Sequence, residues 1–171
     1  MRSLIVVLSC TVAAACGHNP TAASQATFGG HWVGGYVVRQ CTPVGWPSCE
    51  IAPERINEMY PLDLLLAQSG PMVSGTLHIV ESPVMTVPVT GNVASGSLAL
   101  SGDVTNPVFN RVSTDTIRIT RWATTRGNRD NLQGTFSFQW RTLWGPASGP
   151  QRFGEWTLDY DAELVNVIRQ Q

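Results

Sequence analysis

Lysine is absent from this chain of 171 residues, and arginine supplies all 11 of its basic side chains. Only 13% of the residues are charged, and the formal net charge is −1. Proteins that bind nucleic acid need a basic surface that neutralises phosphates, and this composition does not supply one. Nucleic acid is therefore excluded as an expected partner. The length predicts one domain, which is long enough to bury a core without help from a metal or a partner.

Catalytic and metal-binding motifs are also missing. The sequence contains no Gly-x-Ser-x-Gly, His-Glu-x-x-His or phosphate-loop pattern. Its three histidines, His18, His31 and His78, are far apart, and lone histidines of this kind are usually surface or hydrogen-bonded residues. We therefore expect no enzymatic activity, no catalytic residue, no metal site and no cofactor.

The N-terminus has the features of a secretory signal. Arg2 precedes a short apolar run and then a stretch of small residues that ends at Cys16. The apolar run is too short to span a bilayer stably. We therefore assign residues 1–15 to a signal peptide and exclude them from the fold.

The end of this segment, Ala13 to Cys16, resembles the lipobox of bacterial lipoproteins, in which cleavage occurs just before a lipidated cysteine. The resemblance implies that Cys16 is the lipidated first residue of the mature protein, attached to a membrane of the cell envelope. It also implies the outer membrane, facing the periplasm, because Gly17 rather than Asp stands next. Two alternatives remain: cleavage before Cys10, whose apolar core is shorter, and ordinary cleavage that leaves Cys16 as a free thiol.

Because we expect the protein to be exported, we interpret the remaining two cysteines as residues of an oxidising compartment. Cys41 and Cys49 flank a short loop without nearby histidines or C-x-x-C spacing. In an oxidising compartment such a pair favours a disulfide over a metal site or a redox pair. We expect this disulfide to be structural.

The segment between Cys16 and residue 27 is small and polar, and we predict a flexible tether. Residues 28–171 then show about eight segments with two-residue alternation and turn signals between them, which predicts an antiparallel β-barrel or sandwich. We expect strand one over residues 28–39. The Leu-rich run between Pro61 and Pro71 favours a strand over a helix. Pro88 predicts a strand that is short, bulged or at an edge, and residues 103–111 predict a loop.

The first strand carries a recognisable pattern, Gly30-His31-Trp32, among several glycines. It resembles the opening strand of lipocalin-type barrels. The resemblance implies an all-β, up-and-down barrel of about eight strands for residues 28–171, with Trp32 closing the floor. In that family an Arg near the C-terminus commonly lies across this Trp, which implies the same role for Arg169.

Alternation alone does not say whether the apolar faces point into the barrel or out into lipid. Several segments look shorter than the roughly 9–11 residues that a spanning strand needs, and the chain ends in two glutamines rather than an aromatic residue. We therefore expect the apolar faces to point inward. Asp159, Asp161 and Glu163 lie on the opposite face of the last segment, and we expect them to be solvated.

Six aromatic residues share the apolar faces of their segments. They are Tyr36, Phe136, Phe138, Trp140, Trp156 and Tyr160. A barrel of about eight strands is either just filled by side chains or holds one small ligand. We therefore expect either simple core packing or binding of a small apolar ligand among these rings. A protein–protein module, such as a protease inhibitor or a structural lipoprotein, is the alternative function, and the sequence does not predict an oligomeric state.

Overall fold

The computed structural model describes residues 27–44, 48–52, 54–81, 84–108, 113–128, 130–144 and 154–171. Eight antiparallel strands form a closed barrel in which each strand pairs with the next, and β8 pairs with β1. The predicted all-β up-and-down barrel is therefore confirmed, and its architecture is consistent with a lipocalin-like fold. The signal segment, Cys16 and the tether up to residue 26 lie outside the described residues.

The strands are β1 (Gly30–Val44), β2 (Met59–Ser69), β3 (Met72–Glu81), β4 (Val84–Ala94), β5 (Ser97–Val108), β6 (Ser113–Arg126), β7 (Asn131–Trp144) and β8 (Gly154–Gln170). A 3₁₀ helix, Cys49–Ile51, lies between β1 and β2. We call the end where β1 begins and β8 ends the floor, and the opposite end, where β1 ends, the mouth. In the described ranges there is no helix with the length and hydropathy to cross a bilayer.

Burial shows which way the apolar faces point. On β2 the alternate residues Tyr60, Leu62, Leu64 and Leu66 are buried, and the other strands contribute apolar side chains to the same core. The outward positions of β5 and β7 carry mainly Ser, Thr, Gln and charged residues. The apolar faces therefore point into the barrel.

We predicted this orientation partly from short strands, and that argument was wrong. The strands contain between 10 and 17 residues, so none of them is shorter than a spanning strand on the range used above. Several turn-forming residues lie inside the strands rather than between them, and the sequence therefore made the strands look too short. The orientation rests on burial alone.

Two local expectations also need correction. The strand around Pro88 is not short, because β4 has 11 residues, but its residues 84–89 have no ladder partner among the described residues on the β5 side, so Pro88 lies at a local edge, as expected. Proline has no N–H to donate to a neighbouring strand, and the β4–β5 ladder accordingly covers only Thr90–Ala94. Residues 103–108 belong to β5 rather than to a loop, since Val104 packs against the core and the Thr105 hydroxyl meets that of Thr116 at 3.0 Å.

The Leu-rich run forms a strand, as expected, and β1 continues beyond residue 39 to Val44. Gly34 marks a close approach of backbones within β1. A Cβ atom at this position would lie 2.6 Å from the carbonyl oxygen of Asn166 and from the Cα of Val167. Only glycine therefore lets β8 cross here, where the β1–β8 register shifts.

Candidate functional site at the barrel mouth

The floor of the barrel is closed by side chains. Trp32 is fully buried, and its Nε1 donates a hydrogen bond to the carbonyl of Phe28 at 2.7 Å. The guanidinium carbon of Arg169 lies 5.7 Å from the centroid of the Trp32 ring, within the range for cation–π attraction. Arg169 also donates a hydrogen bond to the carbonyl of Gly29. A ligand that enters the barrel would therefore use the other end.

At the mouth, Cys41 and Cys49 form a disulfide with their Cα atoms 6.0 Å apart. Both residues are partly buried and pack against the core. Cys41 is the register partner of Tyr160 on β8. The disulfide therefore fastens the β1–β2 connection to the inner rim of the barrel.

We call residues 48–52 and 54–58 of this connection the covering segment. Its Ala52 and Glu54 are buried, and the backbone N–H of Asn57 donates to the carbonyl of Val38 at 2.8 Å. The hydroxyl of Tyr36 donates to Oε1 of Glu54 at 2.5 Å. The covering segment thus places a carboxylate inside the barrel, next to β1. Sequence reasoning missed Glu54, because a single acidic residue in a turn-rich loop has no periodic pattern around it.

Four of the six predicted aromatic residues pack against one another deep in the barrel. Phe138 stacks on Tyr160 with ring centroids 4.8 Å apart, and Tyr36 meets Phe136 edge-on at 5.3 Å. Two further rings that we did not predict extend this cluster: Tyr60 lies 5.7 Å from Tyr36, and Trp122 lies 4.9 Å from Phe136. These contacts are core packing, which stabilises the interior beside β1, β2, β7 and β8.

Tyr160 differs from Tyr36 and Tyr60 in this cluster, whose hydroxyls take part in hydrogen bonds. It is almost fully buried, and its hydroxyl lies near the backbone N–H of Glu54 but makes no hydrogen bond of good geometry within the part of the chain that the structure describes. Burial is the main cause that raises the pKa of Tyr160, and the nearby charges of Glu54 and Tyr60 raise it further. Tyr160 therefore remains a neutral phenol over the physiological range.

Nearer the mouth, a row of polar side chains crosses three adjacent strands. Asn106 on β5 is the register partner of Asp115 on β6, which in turn faces Thr142 on β7. Asp115 and Thr142 are buried, and the Thr142 hydroxyl donates a hydrogen bond to the Asp115 carboxylate. Asn106 points towards β4, the neighbour of β5 on the other side, where its Nδ2 lies 3.4 Å from Sδ of Met85. We call these three residues, Asn106, Asp115 and Thr142, the polar row.

The remaining two predicted aromatics, Trp140 and Trp156, adjoin the polar row. Thr142 and Trp156 are register partners, and Trp140 lies one inward position deeper on β7. Their ring centroids are 6.0 Å apart, at an interplanar angle of 45°. Trp140 is buried, whereas Trp156 is only partly buried. Among the described residues, Nε1 of Trp140 has no hydrogen-bond acceptor.

The structure therefore divides the predicted aromatic set into two groups. The deep rings form a packed core, and the Trp140–Trp156 pair forms part of a mouth layer together with Val104, the disulfide and the polar row. Val104, Trp156 and the two cysteines are partly buried residues that pack against the core. The mouth layer combines apolar surface with buried polar groups, which is the composition of small-molecule sites.

The acidic residues of β8 lie on the outer surface. Asp159 accepts a hydrogen bond from Gln139 at 2.9 Å, Asp161 from Ser137 at 2.5 Å, and Glu163 from Arg39 at 2.9 Å. Likewise His31 faces outward and lies 3.0 Å from Asp63. In the described part of the chain, no group of three His, Cys, Asp or Glu residues could hold a metal ion.

Comparisons with protein-family models, with curated proteins and with solved structures found no match to this chain.

Proposed function

We propose that this chain is an exported, lipid-anchored β-barrel that binds a small, mainly apolar ligand at its mouth. The observation that carries the proposal is the difference between the two ends. The floor is closed by Trp32 and Arg169, whereas the mouth layer keeps partly buried apolar surface at Val104, Trp156 and the disulfide.

A buried donor supports a ligand at this end. A buried polar group without a partner costs about 1–3 kcal/mol, and such groups are rare in native structures. Nε1 of Trp140, in the mouth layer, is in this condition among the described residues. A ligand, or a water that enters with it, would relieve this cost.

The lipid anchor is supported by the sequence. The small residues before Cys16 and the small, polar segment after it fit a lipidated cysteine followed by a tether, which would hold the barrel at the outer membrane on its periplasmic side. Mass spectrometry of the membrane fraction tests this part. We expect a diacylated or triacylated Cys16 at the N-terminus, and an intact signal or an unmodified N-terminus at another residue would contradict it.

Titration with N-phenyl-1-naphthylamine, a neutral apolar fluorophore, tests the ligand site. We expect its fluorescence to rise with a stoichiometry of one per chain. Trp156→Ala should weaken binding several-fold, because it removes apolar surface at the mouth.

Leu65→Ala is the matched control, since Leu65 is an exposed apolar residue on the outer face of β2. Adsorption to the outside of the barrel would be reduced by Leu65→Ala and not by Trp156→Ala. That result, or the absence of any saturable binding, would contradict the proposed site.

A second candidate function is a protein–protein module, and the outer face of β2 favours it. This strand is apolar on both faces: Met59 and Leu65 point outward and are exposed, opposite the buried leucines. Exposed Met72 lies on the neighbouring strand β3, and exposed Ile168 lies on β8, which is separated from β2 by β1. Exposed apolar patches of this kind are typical of interaction surfaces.

The second function is tested with a Leu65→Glu variant of the tether-free barrel. If the outer face is a binding surface, the wild-type barrel should self-associate or retain an envelope protein after cross-linking, and Leu65→Glu should abolish this without loss of N-phenyl-1-naphthylamine binding. A monomeric wild-type barrel that cross-links to no envelope protein would rule this function out.

A further inference from the structure

Asp115 is a buried carboxylate without a cationic partner. The residue is 5% exposed, and its carboxylate accepts a hydrogen bond from the hydroxyl of Thr142. Over the described residues, no arginine or histidine nitrogen lies within 4.0 Å of it, whereas the exposed carboxylates of Glu163, Asp130 and Glu155 each have an arginine at 2.6–2.9 Å. Three surface carboxylates are thus paired with arginine, whereas this buried one has no positive charge beside it in the part of the chain that the structure describes.

This arrangement is costly unless a cation reaches the site. An ionised carboxylate taken out of water is strongly destabilised, and buried charges are normally paired. The next two inward positions along β6 carry neutral apolar side chains, Ile117 and Ile119. A neutral residue at position 115 would likewise avoid the cost of a buried charge. The position of Asp115 in the polar row is therefore better explained by an interaction than by packing.

The neighbouring indoles supply a second feature that suits a cation. Thr142 separates Asp115 from Trp156 along the row, so the two Cα atoms are about two strand spacings, or about 10 Å, apart. The rings of Trp156 and Trp140 meet at 45°, and the face of an indole attracts organic cations. The row therefore brings a carboxylate and two indoles to the same rim.

The layer below the row also contains a buried indole N–H, which a ligand at this site would have to accommodate. Nε1 of Trp140 is buried and has no acceptor within the described ranges. Ile117, its register partner, and Leu158 offer only apolar side chains beside it. A protonated amine has no acceptor for this N–H, so the donor would need a water, or an acceptor elsewhere on the ligand.

From these observations we infer that the mouth selects a cationic amphiphile, in which a protonated amine lies at Asp115 beside the Trp140–Trp156 pair and an apolar chain packs against Val104 and the disulfide. The inference rests on the proposed function, because it names the chemical class of the ligand for the same site. It adds a specific role for Asp115, which determines the charge of the ligand.

The experiment compares three probes that differ only in the head group: octylamine, octanol and octanoate. Binding is measured by displacement of N-phenyl-1-naphthylamine at about pH 7, where the amine is protonated and the acid ionised. We expect octylamine to bind about tenfold more tightly than octanol, and octanoate to bind most weakly, because a charged hydrogen bond at a desolvated carboxylate favours the cation.

Asp115→Asn isolates the charge. It keeps the size of the side chain and an acceptor for Thr142, and it should lower the affinity for octylamine about tenfold while octanol binds as before. Asp159→Asn is the matched control, because it makes the same change of net charge on the outer surface, where Asp159 accepts from Gln139. This control should leave the preference for octylamine intact.

The outcomes separate the inference from the function on which it rests. If octylamine and octanol bind equally and Asp115→Asn changes nothing, the selection of a cation is overturned and the apolar site stands. If Asp159→Asn lowers octylamine binding as much as Asp115→Asn, the preference reflects net charge and the inference is again overturned. If the fluorophore binds but no probe displaces it, the selection of a cation is overturned, and if the fluorophore itself shows no saturable binding, the proposed function fails as well.

A second variant keeps the test valid if Asp115→Asn does not fold. Trp156→Leu removes one indole face at a partly buried position and retains apolar bulk. We expect both affinities to fall, and that for octylamine about fivefold more than that for octanol, since only the amine loses a cation–π contact. Equal losses for the two probes would contradict the inference.

Discussion

The guanidinium of Arg169 lies over the Trp32 ring, with 5.7 Å between its central carbon and the ring centroid. The two residues are register partners in the β1–β8 ladder, and Arg169 also bonds to the carbonyl of Gly29. A single side chain near the C-terminus therefore contacts the first strand and the residues that precede it. This contact joins the two strands whose pairing closes the barrel.

We predict that Trp32 and Arg169 stabilise the barrel cooperatively. Trp32→Ala and Arg169→Ala should each lower the free energy of unfolding, and a double-mutant cycle should give a coupling of about 0.5–2 kcal/mol, since each substitution removes the same cation–π contact. Urea denaturation of the four proteins measures it.

Arg39 provides the control for this cycle. It is paired with Glu163 on the outer surface, 2.9 Å away. Arg39 is exposed, whereas Trp32 is buried inside the barrel. Arg39→Ala combined with Trp32→Ala should be additive. A coupling of zero between Trp32 and Arg169 would mean that the floor is closed by packing alone.

The disulfide should stabilise the barrel by restricting the unfolded chain. Cys41 and Cys49 are separated by eight positions, and closing so short a loop contributes about 2–3 kcal/mol on the chain-entropy account. We expect the Cys41→Ser/Cys49→Ser variant to lose about this much stability in urea denaturation. If both thiols of the exported wild-type protein alkylate without reductant, no bond forms in the cell and this prediction is wrong.

Gly34 should not tolerate a side chain. The added methyl of Gly34→Ala would lie 2.6 Å from backbone atoms of β8, and such overpacking costs about 1–3 kcal/mol. Gly154→Ala is the control, because a Cβ atom there meets nothing within 4 Å. Thermal unfolding should show a clear loss of stability for Gly34→Ala and almost none for Gly154→Ala. Equal melting temperatures would indicate that β8 shifts to make room.

Much of this barrel could be predicted from alternation and turn residues. The inward sets on β2, β7 and β8 follow directly from the two-residue period, and the resemblance of the Gly30–Trp32 pattern located both ends of the floor contact. Pro88 and residues 103–108 misled the prediction for the same physical reason: a barrel strand tolerates a proline or turn-forming residue on its outer face when its neighbours supply the ladder.

The candidate site was less accessible to sequence reasoning than the fold. The aromatic residues were identified, but their division into a packed core and a mouth pair depends on how deep each lies along its strand. The polar row was missed because Asn106, Asp115 and Thr142 come from three strands and become neighbours only through the register. Glu54 was missed because it is fixed by one long-range hydrogen bond, to Tyr36.

Two buried tyrosines should respond in opposite ways to loss of their hydroxyls. Tyr36→Phe leaves Oε1 of Glu54 without the hydrogen bond from the Tyr36 hydroxyl, 2.5 Å away, and we expect a loss of about 1–3 kcal/mol in the free energy of unfolding. The Tyr160 hydroxyl makes no hydrogen bond of good geometry among the described residues, although the backbone N–H of Glu54 is near. Tyr160→Phe should therefore be neutral or stabilising by up to about 1 kcal/mol, since it removes a desolvated polar group.

The pH dependence of stability distinguishes the two variants further. Burial raises the pKa of Tyr160 above its ordinary value of 10.0, so the folded state keeps the phenol proton at a pH where the unfolded state releases it. The stabilising contribution is complete below about pH 10 and decreases as the pH rises above it, by up to about 1.4 kcal/mol per pH unit. Wild type should therefore lose stability between about pH 10 and 11, and Tyr160→Phe should lose less. Burial also raises the pKa of Tyr60, so part of the decrease should remain in Tyr160→Phe. Urea denaturation at a series of pH values measures both slopes, and identical slopes for Tyr160→Phe and wild type would show that the Tyr160 phenol is accessible to solvent.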